Sequence, residues 1–273
     1  MEEDRIGIPP QLLGRDKGLR IPIQHWGEGL LVFDKPQGIA SKADPWYAND
    51  PDLESAFNAQ IPEGKPELIH HGIEQLGVFN PLEPEATGIV LACCNVATRD
   101  QWKNAFGSRQ FIFHSLIVTR KSSITEAFNC DLPLVRHFVN QQMIVSHNLG
   151  KKTFTRFTPL AEGRSADTWL ASTRYPRMHQ LRVHSRERSI PPSRDPIYDP
   201  DYPQDLREAD RAKLDWVHGY AVQNGGAPAT DSPIVKVPAP RYWKRNLRKC
   251  GLEIEEITAK ADEIIENITL PIE

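Results

Sequence analysis

The sequence predicts an α+β domain, a mixed, largely antiparallel sheet with flanking helices. Three observations carry that expectation. Short apolar runs of strand length recur along the chain, helical periodicity is confined to a few brief segments, and the two do not alternate in a βαβ rhythm. With 273 residues, of which 39% are apolar and 25% charged, the chain is long enough to bury a sizeable core.

Residues 30 to 34, LLVFD, read as a strand stopped by the turn signal Lys35-Pro36-Gln37-Gly38. Residues 44 to 67, rich in Pro, Asp, Glu and Asn, read as a loop with one helical turn at most. GIVLACC, 88 to 94, is a buried strand, and Asp100 to Phe106 a short helix ended by Gly107. FIFHSLIV, 111 to 118, is a strand. Lys152 to Leu160 and Asp167 to Thr173 form a hairpin turned at Glu162-Gly163-Arg164. Met178 to Glu187 has helical spacing, 190 to 206 is a proline-bearing loop, and Leu214 to Val222 is a short apolar element. Leu252 to Ile265 is a charged amphipathic helix. The expected organisation is an N-terminal extension over 1–27, a main domain over 28–250 and an acidic helical tail over 251–273.

No run approaches a transmembrane span, and the N-terminus, MEEDRIGIPP, is acidic and unlike a targeting segment. A cytoplasmic, monomeric protein is expected. Four cysteines, none in C-x-x-C spacing, read as buried reduced thiols. His70-His71 fit no metal-binding pattern, so neither a metal nor a cofactor is expected. The net charge is −3, but residues 251 to 273 hold seven acids and one lysine, leaving the other 250 residues at +3. Basic residues crowd at Arg174, Arg177, Arg182, Arg186, Arg188 and Arg194, and again from Arg241 to Lys249. Such clusters can hold a phosphate backbone in an acidic protein, although charge alone fits a solvated face as well.

Three stretches carry the chemistry: Asp34-Lys35-Pro36-Gln37-Gly38 after a strand, Pro81-Leu82-Glu83-Pro84-Glu85-Ala86-Thr87-Gly88 before one, and Arg177-Met178-His179-Gln180-Leu181-Arg182-Val183-His184. In this order they resemble the RluA-type RNA pseudouridine synthases, whose K-P-x-G, H-R-L-D-x-x-T-S-G and G-R-x-H-Q-I-R-x-H elements are similarly placed. Lys151-Lys152-Thr153, Arg194-Asp195-Pro196-Ile197-Tyr198 and Val217-His218-Gly219 are weaker echoes. The resemblance spans about residues 28 to 245 and leaves no room for a separate N-terminal RNA-binding domain.

The resemblance implies an isomerase that flips a uridine of structured rRNA or tRNA into a pocket without membrane, metal or cofactor. It assigns Glu83 the place of the catalytic aspartate, Arg182 that of the arginine paired with it, and Phe113 that of a tyrosine that stacks on the base. Lys35, Arg174, Arg177, Gln180, Arg186 and Arg188 are the expected RNA contacts. Three positions depart from the pattern: Glu83 for Asp, Pro81 for Arg and Phe113 for Tyr. A catalytically inactive RNA-binding homologue is the alternative that these departures imply, and a protein-interaction module using the acidic tail is a third. Without the flanking motifs Glu83 would read as a solvated loop acid, Phe111 and Phe113 as core, and Trp216 and Trp243 as either buried or base-stacking. His179 and Gln180 read as mainly structural.

Overall fold

The computed structural model describes residues 4–27, 29–202, 217–224 and 234–271. The chain divides into two compact units, Met1–Gln110 and Phe111–Glu273. Every named strand pair within them is antiparallel, which bears out the largely antiparallel sheet.

In the first unit, β1 (Arg5–Ile8), β2 (Leu19–Gly27), β3 (Leu30–Lys35) and β5 (Thr87–Cys93) lie side by side in that order, and β4 (Gly77–Val78) also pairs with β5. The N-terminal segment thus supplies two strands of the first unit. Ile6, Ile8, Ile21 and Ile23 enter the same core as Leu31, Phe33 and Val90, because burying them removes apolar surface from water. The stretch 44–67 is likewise more helical than its composition implies. Asp44 caps a 3-10 turn over Pro45–Tyr47, Asp52 accepts from the Ser55 N–H at 2.9 Å to start α1 (Leu53–Ala59), and Pro66 opens α2 (Pro66–His70). Leu53, Ala56, Phe57 and Leu68 give these short helices an apolar side, which outweighs the weak local propensity. Asn95 caps α3 (Val96–Gly107).

The second unit is built on β6 (Phe111–Arg120), flanked by β12 (Val217–Asn224) and β11 (Ala166–Thr173). β10 (Thr155–Glu162) and then β7 (Phe128–Cys130) follow outside β11, and β13 (Ile234–Lys236) outside β12. A separate hairpin joins β8 (Leu134–His137) to β9 (Gln142–Val145). Of the expected element 214–222, the part before Val217, with Trp216, lies outside the described residues.

Side chains alternate across a strand, and the two faces of this sheet are covered differently. Leu116, Val118, Leu160 and Leu170 pack against Trp243 and Leu247 of α5 (Arg241–Lys249) and Ile257, Ala261 and Ile265 of α6 (Ile254–Asn267). Ile117, Phe157, Trp169 and Ala171 form the other face, on which Leu181 of α4 (Gln180–Glu187) sits. Trp243 is thereby a core residue.

The acidic tail is helical, as expected, and it packs against the second unit. Its acids occupy one side of α6 while Ile257, Ala261 and Ile265 are at most 1% exposed, and the Lys260 ammonium donates to the Leu160 carbonyl at 2.9 Å. Beyond the helix, Leu270 is buried and its carbonyl accepts from the Arg174 guanidinium at 3.0 and 3.2 Å. Ile257→Ala should lower the stability of the second unit by about 2–5 kcal/mol through lost burial and a cavity. Urea denaturation checks this, and a change within about 0.5 kcal/mol would mean that α6 is peripheral after all.

Cys93, Cys94 and Cys130 are buried free thiols and Cys250 is half-buried. Among the described residues no group of His, Cys, Asp and Glu is disposed to hold a metal ion, and no helix is long and apolar enough to cross a membrane.

Candidate functional site

The carboxylate candidate lies on a loop of the first unit between β4 and β5. Glu83 is 7% exposed, and the chain on both sides of it is pinned. The Leu82 N–H donates to the Ser41 hydroxyl at 2.8 Å, and the Leu82 carbonyl accepts from the Ser41 N–H at 3.0 Å. The Pro84 carbonyl accepts from the Gly38 N–H at 2.5 Å. One step upstream, the buried Asn80 side chain bonds β5 as a strand would, donating to the Ile89 carbonyl at 2.9 Å and accepting from the Leu91 N–H at 2.7 Å. The Ser41 hydroxyl in turn donates to the Asn80 carbonyl at 3.3 Å.

The Lys35-Pro36-Gln37-Gly38 turn thus has a structural task. Gly38 has φ 87°, a left-handed conformation that disfavours a side chain, and a Cβ there would meet the Arg15 guanidinium at 3.1 Å. Arg15 donates to the Gly38 carbonyl. Lys35 is fully buried, and its ammonium closes the turn on the carbonyls of Pro36 at 3.0 Å and Ile39 at 2.6 Å. Expected from sequence as an RNA contact, Lys35 is enclosed, and oxygens within reach satisfy its buried cation.

The remaining site candidates belong to the second unit. Phe113 is 5% exposed, paired in register with Thr173 on one side and Val222 on the other. By strand alternation it shares the face of Ile117, the face on which α4 lies. Arg182, on α4, makes a fork to Asp195, Nε to Oδ2 at 2.6 Å and Nη2 to Oδ1 at 2.9 Å, and its guanidinium lies 5.0 Å from the centre of the Tyr198 ring. Asp195 Oδ1 also accepts from the N–H groups of Ile197 and Tyr198 at 2.9 and 3.0 Å. Burial would raise the Asp195 pKa, but the Arg182 charge, its hydrogen bonds and the two amides together hold it below the usual carboxylate value. A two-point, charge-assisted fork fixes a guanidinium plane as one contact cannot. Arg194-Asp195-Pro196-Ile197-Tyr198, a weak echo in the sequence, is therefore what aims Arg182.

Tyr198 extends the network: its hydroxyl lies 2.8 Å from His179 Nδ1, accepts from the Met143 N–H at 2.8 Å and donates to the Met143 carbonyl at 3.2 Å. His179, at the start of α4, has φ 54°, and burial with the nearby arginine charges lowers its pKa to about 2. The ring is therefore neutral near pH 7. His184 bonds Thr153, Thr155 and the Leu132 carbonyl, and burial lowers its pKa to about 4.

Two further RNA-contact candidates are, like Lys35, buried and bonded within the protein. The buried Gln180 amide donates to the Phe154 carbonyl and to the Thr155 and Thr173 hydroxyls, and its oxygen accepts from the Arg177 N–H. It ties α4 to β10 and β11. Arg174 is 8% exposed and holds the Leu270 carbonyl. Arg177 is half-buried over the Tyr175 ring at 4.9 Å, while Arg186 and Arg188 are exposed. Ser41, Asn80 and Asp195 were missed as supports of the site. Only Asp195 had a sequence signal, the partial R-D-P-I-Y echo.

No family model matches the chain, and a search of curated proteins finds no match. Solved structures do match. The human RNA Pseudouridylate Synthase Domain Containing 4 protein superposes with a TM-score of 0.63 at 20% identity, over 85% of this chain and 93% of that one. The human RNA Pseudouridylate Synthase Domain Containing 1 protein gives 0.57 at 16% identity, over 81% and 84%. The fold is that of the RNA pseudouridylate synthases. On this pseudouridylate synthase fold the three sequence stretches occupy the Glu83 loop with its supporting turn in the first unit and α4 in the second.

Proposed function

We propose that this chain is an RNA pseudouridine synthase of RluA type acting on structured rRNA or tRNA. The observation that carries the reading is Glu83 itself: a largely buried carboxylate whose chain is pinned on both sides by the Gly38 and Ser41 turn, on a pseudouridylate synthase fold. Fixing a reacting group before substrate arrives is what positional catalysis requires.

In this reading the target uridine leaves the RNA stack, and Glu83 acts at the ribose as nucleophile or base. The C1′–N1 bond breaks, the base turns, C1′ joins C5 with release of any bond formed to Glu83, the C5 proton passes to water and N1 takes a proton from water. Arg182, held by its fork to Asp195, is the arginine that the resemblance pairs with the catalytic carboxylate. Phe113 offers a stacking surface but no hydroxyl. Arg177, Arg186 and Arg188 are the phosphate contacts, and no metal or cofactor takes part.

The same three departures support a second reading, an RNA-binding homologue without activity: Glu83 carries one methylene more than aspartate, Pro81 has no charge and Phe113 no hydroxyl. The third reading, a tail-mediated interaction module, would have to use the acidic side of α6, since its apolar side is packed into a core. Tritium release from RNA labelled at C5 of uridine, incubated with purified protein, separates the first two. Release with stable RNA binding is expected. Binding without release from any cellular RNA would leave the inactive homologue.

A further inference from the structure

Helix α5, Arg241-Tyr242-Trp243-Lys244-Arg245-Asn246-Leu247-Arg248-Lys249, has a charge pattern that the site does not use. At 3.6 residues per turn its five cations fall within an arc of about 140°. All five are exposed, whereas Trp243 and Leu247 on the opposite side are buried against Leu116 and Leu170. The helix contains no acid. Its acidic neighbours come from the following segment: Lys244 pairs with Glu255, and Arg248 pairs with Glu253 at 2.9 Å. Both pairs lie along one edge of the arc. Arg241, Arg245 and Lys249 recur every four residues along the other, about 6 Å apart in rise.

Resting on the reading of this protein as an RNA-binding enzyme, we infer that this face of α5 is an auxiliary RNA site, a rail for the phosphodiester backbone outside the catalytic pocket. Glu253 and Glu255 set its strength by masking two of its five cations. Two features point to RNA rather than to a membrane or an acidic protein. The apolar side of α5 is consumed by the core, so the helix has none to insert into lipid. Its exposed side offers charge without an apolar or aromatic anchor of the kind that protein interfaces concentrate. Arginine and lysine in a row match a repeating anion, and binding by such a row is read through counterion release. The ion pairs are solvent-exposed, so they yield readily to a competing phosphate.

The test uses full-length protein, a fluorescent RNA stem-loop, and vesicles of phosphatidylserine with phosphatidylcholine, with circular dichroism confirming the fold of each variant. R241Q/R245Q/K249Q should weaken RNA binding on the order of tenfold at low salt. It should also make the slope of log affinity against log salt shallower by about 2, at about 0.7 per lost phosphate contact. E253Q/E255Q should do the reverse, tightening binding and steepening the slope by about 1.4 through two unmasked cations. Unchanged slopes in both variants while wild type binds RNA would overturn the rail. So would vesicle binding that depends on the same three residues while RNA binding does not. Absence of RNA binding by wild type would overturn the rail and the functional reading together. An α5-dependent slope without tritium release would remove the activity and keep the rail.

Discussion

Replacing Glu83 by glutamine should abolish pseudouridine formation, lowering the rate by about 10⁴-fold or more, because an amide neither attacks the sugar nor takes its proton. The surroundings make this a clean experiment. The bonds that pin the loop run through the backbones of Leu82 and Pro84 to Ser41 and Gly38, so they do not depend on the Glu83 side chain. RNA affinity should stay near that of wild type, which distinguishes a chemical defect from a folding one. The pinned chain also gives Glu83→Asp a definite meaning. With the Cα held, removing one methylene draws the carboxylate back along a fixed axis, and a displacement of about 1 Å is worth about 10²-fold in rate. If the longer side chain is the main defect, Glu83→Asp raises turnover, and Glu83→Asp with Phe113→Tyr raises it further. Tritium release that persists in Glu83→Gln would remove Glu83 from the chemistry.

Mild acid should unfold the second unit. Burial lowers the pKa of His179 to about 2, of His114 to about 3, and of His184 and His218 to about 4. Each stays below the unfolded value of about 6.5, so between these limits the unfolded chain binds more protons than the folded one. Stability is therefore fully present above about pH 6.5 and falls as pH drops through the window toward 4. One histidine contributes about 1.4 kcal/mol per pH unit there, and four together about 5 kcal/mol per unit. Against a domain stability of about 5–15 kcal/mol, the loss becomes decisive within a few pH units. Circular dichroism followed against pH should show a transition above pH about 4, shallower in His218→Gln. A protein that keeps its signal to pH about 3.5 would contradict the burial of these rings. All four lie beyond Gln110, so an acid transition confined to the second unit is the specific signature.

Much of the fold was legible in residue order. The apolar runs that became β3, β5, β6, β10 and β11 carry strand periodicity in themselves, and α4 announces itself through Arg177 to His184. The candidate site rests on resemblance alone. Nothing in the spacing of Glu83, Phe113 and Arg182 speaks for a shared chemistry, since each is an ordinary residue until its neighbours are known. The resemblance assigned several long polar side chains to RNA contact. Lys35, Arg174 and Gln180 are buried because backbone carbonyls and hydroxyls from distant segments satisfy their donors, a fact of tertiary placement. The N-terminal strands and α6 were set aside for a related reason. Their charged and proline-bearing surroundings dominate composition, while only a few apolar positions in each decide whether the segment docks.

By itself, then, the sequence determined the largely antiparallel strand-rich class and the place of the carboxylate loop before β5, because periodicity and turn chemistry act over a few residues. Only the tertiary structure decided that Ser41, Gly38 and Asn80 hold the Glu83 loop, that Asp195 aims Arg182, and that the acidic C-terminal segment is part of the core. Those outcomes rest on hydrogen bonds and apolar contacts between residues far apart in the chain, and no local pattern encodes which distant partner completes them.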